Sequence, residues 1–292
     1  MRLDAESRMR DGERVMRILV AFKVTPDYEA LRDADWVAGP GDGVETRYVR
    51  RILNCFDESA LELALGLRDG PAPRRVEEPV DAEAGVSLGA LTIGGRDTEP
   101  HLTTLIALGY ERAARIDPSA ALDFSPPATA ALIAGYVRQV GGGDLVLLGC
   151  RSGPGDAGVV PFLVAAELGW PCLTQVTAIE CYDDDRLRVT CAAEDGALAL
   201  TLRPPCVLAV GNATVSHLSV PTLSQRLAQR GRRPDVLTPA DVGVDVGVAA
   251  GDATTELVGL ERVAHTRPGT VVEGSTPREK AAALYASYPH GW

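Results

Sequence analysis

Residues 144–169 read DLVLLGCRSGPGDAGVVPFLVAAELG, and this stretch decides the fold class of the chain. Residues 144–149 form a near-continuous apolar run, which is typical of a buried strand in a parallel sheet. A glycine-rich turn follows, and residues 157–169 have the apolar composition of a helix. Strand, glycine-rich turn and helix in this order predict one unit of an α/β fold.

The same alternation extends toward the N-terminus. The predicted strands are residues 16–22, 45–53 (peripheral), 86–95 and 112–117, and the predicted helices are residues 54–70, 98–109 and 126–140. Because apolar strands alternate with helices, we predict a mainly parallel, doubly wound sheet covered on both faces, with right-handed crossovers.

The pattern changes after Trp170. Three stretches separated by Asp-containing turns predict a small antiparallel section: CLTQVTAIECY (172–182), RLRVTCAA (186–193) and ALALTLRP (197–204). A buried strand (205–211), a loop with a short basic helix (219–233) and a final helix are expected next. Ser275 or Thr276 caps the final helix, and Glu279 can bond back to the backbone.

Composition excludes several classes of protein. The net charge of −11 over 292 residues argues against nucleic-acid binding, which needs a basic surface. No apolar run reaches the ~18 residues of a membrane span, and the charged N-terminus lacks a signal-peptide core. We therefore expect a cytoplasmic protein without membrane insertion, with residues 1–15 as a disordered extension and 71–84 as a polar loop.

Cysteines and histidines give little support for a metal site. The six cysteines include no CxxC pair, and the four histidines are far apart in the sequence. We predict reduced thiols and no bound metal.

Ligands of an open parallel sheet bind beyond the carboxyl ends of the strands. Three such ends stand out: residues 21–23, residues 92–95 and the glycine-rich loop 149–158. The loop leads to a helix start, where free N–H groups favour a phosphate, and Arg151 could add a charged contact. A plain glycine-rich connector with Asp156 as a helix cap remains the alternative.

Two other polar residues leave alternatives open. Asn54 is either an ordinary helix cap or a contact to a ribose or phosphate. Lys23 either faces the ligand or is solvated. The loop lacks the GxxxxGK[ST] pattern, and no Ser/His/Asp or Cys/His set has suggestive spacing. The sequence therefore favours a binding subunit that leaves the chemistry to a cofactor over a free-standing enzyme.

Four separated motifs, in order, resemble the electron transfer flavoprotein beta subunit (FixA) family. They are ILVAFK (18–23), NCFDESALELA (54–64), DLVLLGCRSGPGDAGVVPF (144–162) and GWP (169–171). An Asp-Gly turn at 195–196 and the strand PCVLA (205–209) follow in the family's order. The segment 220–228 is similar to the family's partner-recognition loop, and residues 267–284 are similar to its C-terminal arm.

This resemblance implies a sheet of the adenine-nucleotide-alpha-hydrolase-like (Rossmann-like) type. Residues 16–233 would form the nucleotide-binding domain, and residues 234–292 would form an arm that contacts the alpha subunit. AMP would be buried in this chain, and the alpha subunit would hold most of the FAD. The heterodimer would carry electrons from a flavin-dependent dehydrogenase, which Leu223 would contact.

Position by position, the resemblance also implies the nucleotide contacts. They are Ala21, Asn54, Cys55, Phe56, Asp57, Ile93, Gly149, Cys150, Arg151, Ser152, Gly153, Gly155, Asp156, Ala157, Gly158, Val159 and Val160.

Several of these positions depart from the family pattern. Cys55 replaces a proline, Cys150 and Arg151 replace lysine and glutamine, and Ala157 and Val159 replace threonine and glutamine. The chain is therefore identified as a divergent member. Two alternatives stay open: a non-redox structural subunit that has lost its nucleotide, and a bifurcating type that holds FAD in this chain.

Overall fold

The computed structural model describes residues 15–32, 35, 44, 46–70, 85–118, 122, 124–140, 143–153, 158–183, 185–250, 269 and 271–287. The predicted extension up to residue 14 and the predicted loop 71–84 lie outside these residues. The chain divides into two units, Met1–Val258 and Gly259–Trp292.

The described residues contain strands and helices in alternation, as the sequence predicts. The strands are Met16–Phe22 (β1), Val24–Pro26 (β2), Arg51–Leu53 (β3), Val86–Ile93 (β4), Arg112–Ile116 (β5), Leu145–Gly149 (β6), Cys172–Cys181 (β7), Leu187–Ala193 (β8), Gly196–Leu202 (β9), Cys206–Val210 (β10) and Asp235–Leu237 (β11). The helices are Cys55–Asp69 (α1), Glu99–Ala107 (α2), Pro126–Val140 (α3), Val160–Leu168 (α4), Leu223–Ala228 (α5), Val246–Ala250 (α6) and Pro277–Ser287 (α7).

Nine of these strands form one sheet in the order β11-β5-β4-β1-β6-β10-β7-β8-β9. Pairing is parallel from β11 to β7, whereas β7, β8 and β9 pair antiparallel. The predicted α/β fold with a mainly parallel sheet and a small antiparallel section is confirmed. From β1 the chain builds the sheet outward to β4 and β5, and it then returns to β6 on the other side. This order creates a topological switch point between β1 and β6.

Side chains of β1 point alternately into two hydrophobic cores, because successive residues of a strand face opposite sides of the sheet. Ile18 and Val20 pack with Leu61 of α1 and Leu105 of α2. Leu19, on the opposite face of the sheet, packs with residues of α3 and α4, among them Leu132 and Val164. The sheet is therefore covered on both faces, which explains its continuous apolar strands.

The structure corrects the predicted strand at residues 45–53. Among the described residues of this stretch, 46–53, only Arg51–Leu53 form a strand, which pairs with β2 in a separate two-stranded sheet. Residues 46–49 form a turn closed by a hydrogen bond from the Val49 N–H to the Thr46 carbonyl (3.0 Å). The strand is short because β2 offers it only a three-residue partner.

The helix predicted from residue 157 begins later. Gly158 has a φ of 62°, which lies outside the right-handed helical region, and α4 starts at Val160 with Pro161 in its first turn. Val159 occupies the N-cap position. Asp156, which the sequence offered as an alternative cap, lies outside the described residues.

The main sheet continues past residue 233. β11 pairs with β5, and the turn at Pro239–Val242 that follows buries Val242 in the core beside α3. Sequence reasoning missed this strand. In the second unit, the predicted capping of α7 is confirmed. The Ser275 N–H donates to Glu279 Oε2 (2.8 Å), and the Glu279 N–H donates to Thr276 Oγ1 (3.2 Å).

The Tyr110→Phe substitution tests how α1 is held beside the start of β5. The buried Tyr110 hydroxyl donates to the Leu61 carbonyl (2.8 Å). We expect its removal to lower the free energy of unfolding by about 0.5–1.5 kcal/mol in urea titrations. Tyr182→Phe, which changes a half-exposed hydroxyl, is the matched control and should leave stability unchanged. Equal effects of both changes would contradict the role of the bond.

Candidate functional site

Asp57 joins the carboxyl ends of the two strands at the switch point. Its Oδ2 accepts a hydrogen bond from the backbone N–H of Lys23, directly after β1 (2.9 Å). Its Oδ1 accepts one from the backbone N–H of Gly149, the last residue of β6 (2.6 Å). Asp57 itself lies in the first turn of α1. One carboxylate therefore fixes the ends of β1 and β6 and the start of α1 relative to one another.

Asn54 adds the glycine-rich loop to this arrangement. Its Nδ2 donates to Asp57 Oδ2 (3.0 Å) and to the carbonyl of Arg151 (3.0 Å). Asn54 occupies the N-cap position of α1 in an extended conformation, but its side chain makes no capping bond among the described residues. Asn54 is therefore the N-cap residue by position, as one of the two sequence alternatives had it, but its side chain bonds elsewhere. A contact of Asn54 with a ribose or phosphate stays a prediction.

The Asp57 carboxyl is buried, and burial disfavours its charged form. Burial raises the pKa of its carboxyl from 3.8 to about 6, although the hydrogen bonds from Lys23, Gly149 and Asn54 and the charge of Lys23 all act to lower it. The bonds of this carboxylate go to protein donors. The predicted contact between Asp57 and a nucleotide is untested, and the observed bonds show Asp57 positioning other segments.

Gly149 has to lack a side chain at this point. A Cβ there would lie 2.6 Å from Asp57 Oδ1, 2.8 Å from Phe56 Cβ and 3.0 Å from Asn54 Nδ2. Such distances are shorter than carbon contacts in proteins, so the end of β6 can approach α1 only as glycine. The glycine noted in the sequence thus serves packing between β6 and α1.

The loop after β6 remains bonded to the sheet at its first residue. The buried Cys150 donates its N–H to the Val210 carbonyl (2.7 Å), and the Arg151 guanidinium lies 5.8 Å from the centre of the Phe56 ring. Ser152 is half-buried, and a Cβ at Gly153 would meet no atom within 4 Å. Pro154, Gly155, Asp156 and Ala157 lie outside the described residues.

The loop ends at the start of α4. Gly158 has positive φ, Val159 is the exposed N-cap, and no side chain among the described residues caps the first turn of α4. Backbone N–H groups at such an end favour an anion. The predicted phosphate site thus retains backbone donors where polar side chains are missing.

The other predicted contacts lie along the same edge. Ala21 is buried next to the end of β1, and Ile93 is the last residue of the neighbouring β4. Cys55 is exposed and Phe56 is half-buried in the first turn of α1. Thr92, which lies at one of the strand ends singled out from the sequence but is not among the predicted contacts, buries its hydroxyl without a hydrogen-bond partner among the described residues. A polar ligand or water at this edge could satisfy such a group.

Within the described part of the chain, no group of three or more His, Cys, Asp or Glu side chains is placed to hold a metal ion. No helix of that part is long and apolar enough to span a bilayer. Burial raises the pKa of the Cys172 thiol to about 11 and that of Cys206 to about 12, so both remain protonated thiols near neutral pH.

The known proteins to which this chain is similar carry the name of one family. The electron transfer flavoprotein domain matches residues 43–236. An Escherichia coli (strain K12) protein named "Putative electron transfer flavoprotein subunit YgcR" is 32% identical over 277 residues, covering 94% of this chain and 97% of that protein. The electron transfer flavoprotein subunit beta of Mycobacterium leprae (strain TN) is 25% identical over 232 residues, covering 78% and 81%. The corresponding subunit of Bradyrhizobium diazoefficiens is 26% identical over 234 residues, covering 79% and 85%.

The chain belongs to the electron transfer flavoprotein family, because the matched domain covers more than half of it and the Escherichia coli relative aligns over nearly all of it. Within that family it is a divergent member of the beta-subunit group, to which the Mycobacterium leprae and Bradyrhizobium relatives belong by name.

Asp57→Asn should change how stability depends on pH. Because the pKa of Asp57 is raised in the folded state, the folded protein holds this proton more tightly than the unfolded chain does. The resulting stabilisation is complete below about pH 4 and is lost as the pH rises through about 6. The wild-type free energy of unfolding should therefore fall by roughly 1–3 kcal/mol relative to the variant across this window.

Urea titrations from pH 4 to pH 7 measure this difference. Asp195→Asn, which changes an exposed carboxylate in the turn between β8 and β9, is the control and should keep the wild-type pH profile. Parallel profiles for wild type and Asp57→Asn would show that Asp57 is not the titrating group.

Proposed function

We propose that this chain is the beta-type subunit of a heterodimeric electron transfer flavoprotein. It binds AMP, it encloses with an alpha-type subunit the FAD that this partner mainly holds, and it works as an electron carrier and not as an enzyme. Electrons pass from a flavin-dependent dehydrogenase to an acceptor. We place this complex in the cytoplasm. Family membership and the architecture of the β1/β6 edge support the proposal.

The observation that carries the nucleotide assignment is the meeting of three elements at one crevice. The first turn of α1, the loop after β6 and the start of α4 all lie at the carboxyl end of the sheet. Switch points of parallel sheets are where nucleotides bind, and helix N-termini favour phosphates. Open space at Gly153 and positive φ at Gly158 suit close approach of a phosphate to backbone N–H groups.

The residues present fit AMP better through backbone than through side chains. Asn54 and Asp57 hold the crevice in shape, and the N–H groups around Gly158 and Val160 offer donors to an anion. Ala157 and Val159 supply no polar side chain to the same region. FAD supplies the electron-transfer chemistry, and this chain contributes binding surface and exclusion of water.

A docking segment, residues 218–228, fits the predicted contact with a dehydrogenase. Val220, Leu223 and Leu227 are 81%, 72% and 57% exposed. Leu223 and Leu227 are four residues apart, so they share one face of α5. Exposed apolar side chains on one short helix are typical of a protein-binding surface.

Positive charge lies in and just after the docking segment, although the chain as a whole is acidic. Four exposed arginines lie in α5 and just after it: Arg226, Arg230, Arg232 and Arg233. We infer that the dehydrogenase surface has an apolar pocket with an acidic rim, which would speed association at low ionic strength. The arm at residues 234–292 is the part that we assign to contact with the alpha-type subunit.

Two alternative functions remain in competition with this one. The apolar Ala157 and Val159 favour a structural subunit without nucleotide. A bifurcating type with FAD in this chain needs polar contacts for a full dinucleotide, and the same two residues count against it.

Nucleotide release separates these functions. The chain is purified with and without its alpha-type partner and denatured, and the released nucleotides are identified by chromatography and mass. We expect one AMP and one FAD per heterodimer. FAD released from this chain alone would indicate the bifurcating type. A folded complex that releases no nucleotide would contradict both redox assignments.

Leu223→Ala tests the docking assignment. Truncating an exposed anchor should raise the KM for the flavoprotein complex in flavin reduction by a cognate dehydrogenase by about fivefold or more, with flavin content unchanged. Stopped-flow reduction against a panel of purified flavin dehydrogenases provides the measurement. Leu198→Ala, which truncates a half-exposed leucine on β9, is the matched control and should behave as wild type. Unchanged kinetics with every dehydrogenase that reduces the wild type would rule out docking through Leu223.

A further inference from the structure

Two glutamates of α1 bond to the start of the docking segment. Glu58 Oε1 accepts a hydrogen bond from the Leu218 N–H (3.0 Å). Glu62 accepts from the Ser219 N–H (2.7 Å) and from the Ser219 hydroxyl (2.7 Å). Residues 58 and 62 are one helical turn apart, so both carboxylates project from the same side of α1. Consecutive residues of the segment are therefore held by two consecutive turns of one helix.

These bonds are unusual for surface glutamates. Most such side chains are solvated or form weak ion pairs, whereas these accept hydrogen bonds from backbone N–H groups about 160 positions away in sequence. A hydrogen bond to a charged acceptor is stronger than one between neutral groups. The two glutamates thus connect parts of the fold that the chain does not connect locally.

The segment that they hold has little regular structure of its own before α5. Residues 211–222 contain neither strand nor helix, and most of them are exposed. Leu218 packs against the core, and Pro221 is buried. Val220 and Leu223 project into solvent from either side of Pro221. The inward groups and the two glutamates therefore determine where the exposed side chains point.

α1 is a firm support for such a contact. Leu61, Leu63 and Leu65 are buried in the core, and Asp57, next to Glu58, bonds to the ends of β1 and β6. A residue on this helix is consequently fixed relative to the nucleotide crevice. The same helix places Asp57 at the crevice and holds the docking segment with Glu58, also in its first turn, and with Glu62, one turn further on.

We propose that Glu58 and Glu62 are positioning residues that hold the docking segment on α1 and so present Leu223 to the partner dehydrogenase at a fixed position relative to the crevice. The inference rests on the proposed function in that it assigns docking to residues 218–228. The partner is the flavin dehydrogenase with an acidic rim described above. The proposed role of both glutamates acts through the docking segment.

Hydrogen exchange of the heterodimer tests the bonds without any partner. In Glu58→Ala/Glu62→Ala, the amides of Leu218 and Ser219 should exchange at least about tenfold faster than in the wild type. Trypsin should also cleave faster after Arg226 in α5. Glu62→Gln keeps one acceptor oxygen. Its Ser219 amide should exchange faster than that of the wild type and more slowly than that of the double variant. Glu194→Ala/Asp195→Ala removes two exposed carboxylates far along the chain and is the charge-matched control.

Electron transfer tests the positioning role. The double variant is assayed with the dehydrogenase for which Leu223→Ala raises the KM. The KM for the flavoprotein complex should rise by about threefold or more, with kcat and flavin content unchanged. Glu62→Gln should raise the KM less than the double variant does. Should the double variant fail to fold, Ser219→Ala removes one of the bonds from the other side and should shift exchange and KM in the same direction.

The outcomes separate this inference from the proposed function. Wild-type exchange at Leu218 and Ser219 in a folded double variant would overturn the inference. So would an unchanged KM when Leu223→Ala raises it. If neither variant changes the KM with any dehydrogenase, docking through residues 218–228 fails and the inference falls with it. Release of AMP and FAD is unaffected in each case.

Discussion

The buried carboxylate of Asp57 is the interaction on which the arrangement of the crevice depends. Removing a charge from water is costly, so it must be satisfied by donors at short distance, here the N–H groups of Lys23 and Gly149 and the amide of Asn54. This requirement draws the ends of β1 and β6 onto the first turn of α1. It also excludes any side chain at position 149, where a Cβ would lie 2.6 Å from the carboxylate.

α1 therefore connects two surfaces that an electron carrier has to keep in register. Its first turn shapes the edge where we place the nucleotide, and Glu58 and Glu62 hold the segment that exposes Leu223. Between them, buried leucines fix the helix against the sheet. If the proposed function holds, this helix links the cofactor site to the docking surface by one rigid element.

Much of the fold could be predicted from the sequence. Apolar runs and helical periodicity are local signals, so the main parallel strands, the six helices α1 to α5 and α7, and the capping of α7 could be predicted, with ends displaced by a few residues. The errors came where a distant partner decides the outcome. The strand predicted at 45–53 is observed at Arg51–Leu53, because its partner β2 is short. Asp235–Leu237 form a strand because the edge of β5 is available for pairing. The start of α4 moved to Val160 since Gly158 adopts positive φ.

The sequence by itself determined the fold class, the family and the glycine-rich loop, because these reside in patterns of adjacent residues and in the order of motifs. It also placed Asn54, Asp57 and Gly149 in one candidate site. Only the tertiary structure decided what these residues do there. Whether a carboxylate is solvated, touches a ligand or joins two strand ends depends on which backbone donors come within 3 Å, and those of Asp57 come from positions 34 and 92 residues away. Glu58 and Glu62 likewise look like ordinary helix-surface residues until the fold brings Leu218 and Ser219 against them.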